Sequence, residues 1–425
     1  MSVLTANGGV AHSWYHATAR HPGPFASLDG SRRVDVAIIG GGLTGLSAAL
    51  ALAKAGADVA VFEAWQIGFG ASGRNGGQVG SGQRVDQITL EQSFGADTAR
   101  LLWGIGEAAK SEVKTLAQKH EIDAGWKPGI AQVARRPGAV EGLHRYANHL
   151  RDTYGYDQVK TLNREEAVDL VGSKGVAGGV LDQGASHIHP LRFTYGLAAA
   201  ASKAGAAIYE ETPVSRIEGR NLYTGKGIIS AGQILIATNG YTANLNQMVA
   251  ARVLAVNAFI GVTEPLKAGV LKDDIAVVDD RFVVNYWRTV DGNRLLFGGG
   301  ESYGLRFPKN IAAKVRHPMT DLYPALKGVR FDYVWGGTLG ITTTRQPYFA
   351  EVEPGIFTAA GYSGHGVALA TLGGRLVAEA ILGKPSDFAL MTQLNVPPVP
   401  GGPLARHWLT RLAMHFYAAR DRIGV

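Results

Sequence analysis

The sequence predicts a mixed α/β fold. One Rossmann-like nucleotide-binding domain winds around buried strands, and a discontinuous second domain is built on an antiparallel-rich sheet plus helices. Three observations predict this. Gly40-Gly41-Gly42-Leu43-Thr44-Gly45 follows an apolar run and opens a helix-like stretch. Glu63 stands 21 residues beyond Gly42, at the end of a second apolar run. Helical patterns then dominate until strand patterns resume near Val253.

Val34 to Ile39 reads as a fully buried strand, and Leu46, Ala49, Leu50 and Ala53 recur at helical spacing. Asp58 to Phe62 reads as the next strand, so the glycines sit inside a βαβ unit. Gly40 permits the tight turn, Gly42 lets backbone approach a pyrophosphate, and Gly45 lets helix and strand pack closely. The helix start at Leu43 and Thr44 offers N–H groups to that pyrophosphate. Glu63, followed by Ala64, is placed to accept adenosine ribose hydroxyls, and its charge disfavours the 2′-phosphate of NADP.

The next segment argues for a flavin. Five glycines between Gly68 and Gly77 preclude a stable helix and permit close approach to a large planar ligand. Ser72, Gly73, Arg74, Asn75, Gly76 and Gly77 are therefore expected at FAD. Arg74 would offset pyrophosphate charge, and backbone N–H groups would reach flavin N5 or O4. The alternative reading is a flexible surface loop.

The run GFGASGRNGGQ, Gly68 to Gln78, resembles the flavin-contacting loop of the glycine oxidase and D-amino-acid oxidase superfamily. HIHPL at His187, NRLLFGGG at Asn293, GYSGHGVALATLGGRL at Gly361 and the terminal RDRIGV resemble its γ-glutamylputrescine oxidoreductase branch. The resemblance runs from about Pro24 to Val425. It implies that Val214 gives backbone contacts to adenine and that Asn239 and Gly240 lie near the pyrophosphate.

Composition narrows the function. At 425 residues two domains are expected, and 46% hydrophobic with 18% charged residues excludes a disordered chain. The net charge of +7 is scattered, without the basic stripe of a nucleic-acid binder. The absence of cysteine excludes disulfides, thiolate metal sites and a cysteinyl flavin link. No metal site is expected. Residues 1–33 lack a signal-peptide pattern, and no apolar run reaches the roughly 18 residues of a membrane span, so a cytoplasmic location without membrane contact is the default.

Further elements follow from periodicity. Phe94 to His120, Gly138 to Tyr154 and Leu191 to Lys203 read as helices. Val159 to Asn163, Ala206 to Glu210, Phe282 to Val290, Arg294 to Phe297 and Gly355 to Ala360 read as strands, and Ile234 to Gly240 as a strand ending in a turn. Gly361 to Gly366 opens a last helix, Val367 to Leu382, whose dipole can stabilise negative charge on a reduced flavin. The expected division assigns segments 1–85, 185–245 and 336–425 to the FAD-binding domain. Segments 86–184 and 246–335 form the substrate domain. Arg406 to Val425 reads as a basic amphipathic helix that docks on the parent domain, the alternative being a helix lying on a membrane surface.

The expected catalytic set is His365, Tyr286, Trp335, His189 and Arg345. His365 lies between Gly364 and Gly366, where a ligand can come close. His187 and His189 share one face if they lie on a strand, and either line a pocket or hold structure before Pro190. Tyr286, Trp287 and Arg288 are consecutive, so at least one is core. Trp335 precedes Gly336-Gly337 and walls the ligand or packs inside. Glu301 receives a cationic substrate end or is solvated. In the resembling superfamily an Asp-x-x-Pro is common where this chain has Thr344-Arg345-Gln346-Pro347.

Together these readings predict an FAD-dependent amine oxidoreductase with non-covalent FAD. A hydride leaves the amine α-carbon for flavin N5, the imine hydrolyses to aldehyde and ammonia, and dioxygen or another acceptor takes the electrons. The resemblance implies γ-glutamylputrescine or a similar γ-glutamylated amine. One alternative is a D-amino-acid or sarcosine-type enzyme, which needs a carboxylate clamp from Arg345 or Arg288. The other is a flavin-binding subunit or sensor without turnover.

Overall fold

The strand Arg32–Ile39 runs through the glycine turn into the helix Leu43–Lys54 and returns as the strand Val59–Phe62, parallel to the first. The computed structural model describes residues 12–281, 283–302 and 306–400; the amphipathic stretch Arg406 to Val425 lies outside them. Val36 and Ile38 enter one hydrophobic core, and Ala37 and Ile39 enter another. An unbroken apolar strand is thus buried on both faces, as a central parallel strand requires.

Among the described residues the first sheet has eight strands. Its main path is Tyr348–Glu353, Ile356–Ala360, Ile228–Ile236, Arg32–Ile39, Val59–Phe62 and Ala207–Tyr209. All neighbours on that path are parallel except the antiparallel edge strand Tyr348–Glu353. The helices Leu43–Lys54, Pro190–Lys203 and Gly366–Ile381 share the core of Val36 and Ile38. Gly374 lets two of them touch: a Cβ there would come 2.2 Å from the Thr44 carbonyl oxygen.

The second sheet has nine described strands. Its path is Phe331–Ile341, Leu254–Thr263, Arg294–Ser302, Tyr286–Val290, Ala276–Asp279, Lys127–Ala134, Gly178–His187 and Gln78–Val79, with Val159–Leu162 beside Gly178–His187. It is antiparallel except where Ala276–Asp279 meets Lys127–Ala134. The helices Arg164–Val171 and Ile311–Leu322 cover it over Phe259, Trp287 and Phe297. Gln78–Val79, directly after the glycine loop, belongs to this sheet through Ser186 and His187. Two strands also carry the chain across expected borders, Gly178–His187 past position 184 and Phe331–Ile341 past position 335.

Local departures have local causes. The helix expected over Phe94 to His120 runs Ala96–Lys119; a separate helix, Gln87–Phe94, precedes it, and Gly95 at φ +82 divides the two. Asp86 caps Gln87–Phe94 through Thr89 N. The strand expected from Phe282 begins at Tyr286, since Asp279 holds the Asn285 N–H and side-chain amide in a turn before it. The strand expected to end in a turn by Gly240 stops at Ile236, and the turn is the 3₁₀ turn Asn239–Tyr241. His187 and His189 do not share a strand face: the strand stops at His187, and His189 caps the helix Pro190–Lys203. Among the described residues no single helix is long and apolar enough to cross a membrane. The bent pair Gly366–Ile381 and Ser386–Thr392 reaches that length only together, and its first helix is mostly buried.

Candidate functional site

Both glycine-opened helices begin at one cavity of about 1310 Å³, walled by residues of both sheets. At the first helix, Gly40 sits at φ +111, where a Cβ would come 2.8 Å from Ala237 O. A Cβ at Gly42 would lie 2.7 Å from Ser72 Oγ, and one at Gly45 would lie 2.0 Å from Gly40 O. Gly40 and Gly45, hemmed in by backbone, therefore demand glycine, whereas a Cβ at Gly42 would meet only the Ser72 side chain. The Leu43 N–H donates to Ser72 Oγ at 3.0 Å. Thr44, like Gly42 and Leu43, lines the cavity, and the N–H groups of this first turn lack intrahelical acceptors.

Glu63 lines the same end with Ala64 and Val214. Its Oε2 accepts from Gly41 N at 2.7 Å and its Oε1 from Trp65 N at 3.0 Å. Each oxygen keeps a further lone pair for a ligand hydroxyl. Burial pushes the carboxyl above its ordinary range, against the opposing pull of these N–H donors.

The glycine loop is tied down from within. Asn75 Nδ2 donates to the carbonyls of Ala71 and Ser72, and its Oδ1 accepts from Gly77 N. Arg74, 5% exposed, donates from Nε to Phe69 O and from Nη1 to Gly336 O. The side chain expected to offset phosphate charge thus holds two protein carbonyls and braces the loop against the strand Phe331–Ile341. Ser72, Arg74, Asn75 and Gly76 line the cavity. Gly73 and Gly77 pack beneath it, where a Cβ would strike Gly68 O and Ile188 O. Asn239 lines the cavity and accepts from Gly361 N at 2.9 Å, with Gly240 buried behind it.

The expected catalytic residues separate into two groups. Tyr286, Arg345 and His365 line the cavity with Glu301, Gly364 and Gly366. Burial pushes the Tyr286 phenol up, and the ring lies against Gly76 and Gly298, where a Cβ would clash. His365 Nε2 has no hydrogen-bond partner among the described residues; burial and Arg84 push this imidazole down to about 4. Trp335 and His189 stand behind the wall. Trp335 is 2% exposed and donates to Arg74 O at 3.2 Å. His189 Nδ1 accepts from Arg192 N, and its Nε2 pairs with Thr18 Oγ1 at 3.0 Å. Arg288 is likewise occupied, donating to Gly76 O and Ile188 O, so it braces the loop rather than facing the cavity.

Three contributors escaped the sequence reading. Tyr15 donates to Asn75 O and receives Arg288 Nη2, which pins the loop from the N-terminal helix Trp14–Thr18. Asp279 lines the cavity while holding Asn285, and burial pushes its carboxyl up to about 6. Arg84 lines the cavity and donates to Ser363 O across 279 positions, a pairing no motif spacing marks. Among the described residues no group of three His, Asp or Glu side chains is placed to hold a metal.

Glycine cradles, two helix N-termini and a carboxylate closing the second strand suit an extended dinucleotide with a planar ring. Comparison with known proteins agrees. The chain is 42% identical to "Probable oxidoreductase OrdL" of Rhizobium meliloti, covering 97% of each chain. It is 35% identical to γ-glutamylputrescine oxidoreductase of Escherichia coli, over 97% of this chain and 99% of that one. The crystal structure of glycine oxidase from Geobacillus kaustophilus superposes with a TM-score of 0.70 at 26% identity, over 83% of this chain and 95% of that one. The family model described as FAD dependent oxidoreductase, DAO, matches residues 35–380, and the chain belongs to that family of FAD-dependent oxidoreductases.

Proposed function

We propose that the chain oxidises an amine with non-covalently bound FAD, the substrate being γ-glutamylputrescine or a similar γ-glutamylated amine. The single observation that supports this most is the near full-length similarity to γ-glutamylputrescine oxidoreductase, joined to a cavity that runs from Glu63 to Tyr286. When bound, FAD supplies a two-electron acceptor for the hydride on the carbon that bears the amine. The imine left behind hydrolyses to an aldehyde and ammonia, with dioxygen or another acceptor as the final oxidant.

In this reading the Leu43 helix start, Glu63, Ala64 and Val214 hold the adenosine diphosphate portion. Gly76 and the loop Gly364 to Gly366 hold the flavin ring. The helix Gly366–Ile381 directs its N-terminal dipole at negative charge developing there. Tyr286, neutral at all working pH values, walls the cavity and excludes water. Glu301 and Asp279 give one end an acidic lining for the ammonium end of the substrate. We assign segments 1–85, 185–245 and 336–425 to FAD and the intervening segments to substrate, with the strands noted above crossing the borders. A cytoplasmic setting fits such a substrate.

Anaerobic addition of single amines to the yellow holoprotein tests the proposal. γ-Glutamylputrescine should bleach the visible flavin band, and the flavin should leave the protein on acid precipitation. Bleaching by D-amino acids or sarcosine alone would move the assignment to that class, and no bleaching by any amine would leave a flavin-binding subunit.

A further inference from the structure

Arg288 is 6% exposed, and among the described residues no carboxylate pairs with it. Its Nε donates to Gly76 O at 3.0 Å, and its Nη2 to Ile188 O at 3.0 Å and to Tyr15 OH at 3.2 Å. Its Nη1 lies 3.4 Å from His187 Nδ1. A buried cation is costly unless hydrogen-bonded partners make use of its charge.

Tyr15 is such a partner. It stands on the helix Trp14–Thr18, ahead of the first strand, and is fully buried. Its oxygen accepts from Arg288, so its own hydroxyl hydrogen goes to Asn75 O, 2.7 Å away. The ring is held edge-on by His189 and Trp335, at 4.9 Å and 5.3 Å between centroids, which fixes where the hydroxyl points. Burial pushes the phenol up against the pull of Arg288, so the oxygen keeps its proton and donates it.

The peptide bond carries this into the cavity. In a trans peptide the C=O and the following N–H point in opposite directions. Asn75 O is turned back to Tyr15, so the Gly76 N–H is turned the other way, and Gly76 lines the cavity. That N–H has no acceptor among the described residues, whereas the Gly77 N–H is spent on Asn75 Oδ1 at 2.7 Å. Glycine at 76 lets the Asn75–Gly76 peptide turn over at small cost, so outside ties are needed to keep it one way up. Hydrogen bonds in a chain also polarise one another. A guanidinium, a phenol and a peptide in line therefore make the Gly76 N–H a stronger donor.

We propose that Tyr15 is a positioning residue for the flavin: backed by Arg288, it aims the Gly76 N–H at the ring and strengthens that donor, so that the bound flavin takes up negative charge more readily. This rests on the reading above that the Gly76 loop holds the flavin ring. It is independent of which amine is the substrate.

Sulfite tests the proposal without a substrate. Its sulfur lone pair forms a bond to flavin N5, the displaced ring electron pair comes to rest as negative charge at N1 and O2, and the visible band bleaches. FAD-saturated wild type and Tyr15→Phe are titrated with sulfite, and their two-electron midpoint potentials are measured against a reference dye. Losing the hydroxyl should weaken sulfite binding about two- to tenfold. The potential should fall with it, by about 30 mV at the tenfold end. 3-Fluorotyrosine at position 15, nearly the same shape with a stronger donor, should move both quantities the opposite way.

Unchanged sulfite affinity and potential in FAD-saturated Tyr15→Phe would overturn the proposal, even with a lowered melting temperature, and leave Tyr15 as a brace of the loop. If Tyr15→Phe does not hold FAD, the 3-fluorotyrosine protein decides: tighter sulfite binding upholds the proposal, and unchanged binding refutes it. Should no amine bleach the flavin, the substrate reading fails while these two measurements still decide this one.

Discussion

Replacing Glu63 with alanine should weaken FAD binding and loosen the glycine turn, and the two effects can be separated. The carboxylate accepts from Gly41 N at 2.7 Å and from Trp65 N at 3.0 Å. Hydrogen bonds to a charged group are worth about 1.5–3 kcal/mol each, so the protein alone should lose several degrees of melting temperature. Ribose hydroxyls sharing the carboxylate add a comparable term, equivalent to about ten- to a hundred-fold in FAD affinity. Glu63→Gln keeps the shape and one acceptor and should fall between. The assay strips FAD, titrates it back while following flavin fluorescence, and records thermal unfolding of each apoprotein. A lowered melting temperature with unchanged FAD affinity would refute the ribose assignment and leave Glu63 as a brace for Gly41 and Trp65.

Two further outcomes follow from the same geometry. His365→Ala should slow flavin reduction at saturating amine more than it lowers FAD content, because His365 Nε2 lies at the cavity wall without a protein partner among the described residues; stopped-flow reduction measures this, and an unchanged rate would return the residue to a packing role. His187 and His189 are buried and held neutral, with pKa values pushed down to about 4 and about 3 by burial and nearby arginines. The unfolded chain takes up these protons near pH 6.5 while the folded one does not, so stability should be full above that pH and fall steadily toward pH 4; melting temperature against pH reads this, and His189→Gln should flatten the fall.

The βαβ unit was legible because its determinants are contiguous. An apolar strand, a glycine turn in which Gly40 and Gly45 admit no Cβ, and an acid closing the next strand all lie between Val34 and Glu63. The glycine-led helix at Gly366 was legible for the same reason, its apolar periodicity following directly on the loop. Periodicity also places helices, though it passed over Gly95 because a positive φ leaves no trace in an amphipathic pattern.

Which side chains reach the cavity was decided only by tertiary structure. Among three consecutive residues, pairing in the second sheet sends Tyr286 to the cavity and Trp287 to the core, while Arg288 binds the Gly76 carbonyl 212 positions away. His189 is spent on Thr18 and Arg192, whereas His365 keeps a nitrogen for the cavity. Arg84 gains its place from Ser363, far along the chain. A local pattern records the period of an element and the conformational needs of its turns. It does not record which distant carbonyl or carboxylate will satisfy a given arginine or histidine, and that pairing determines whether such a side chain is structure or site.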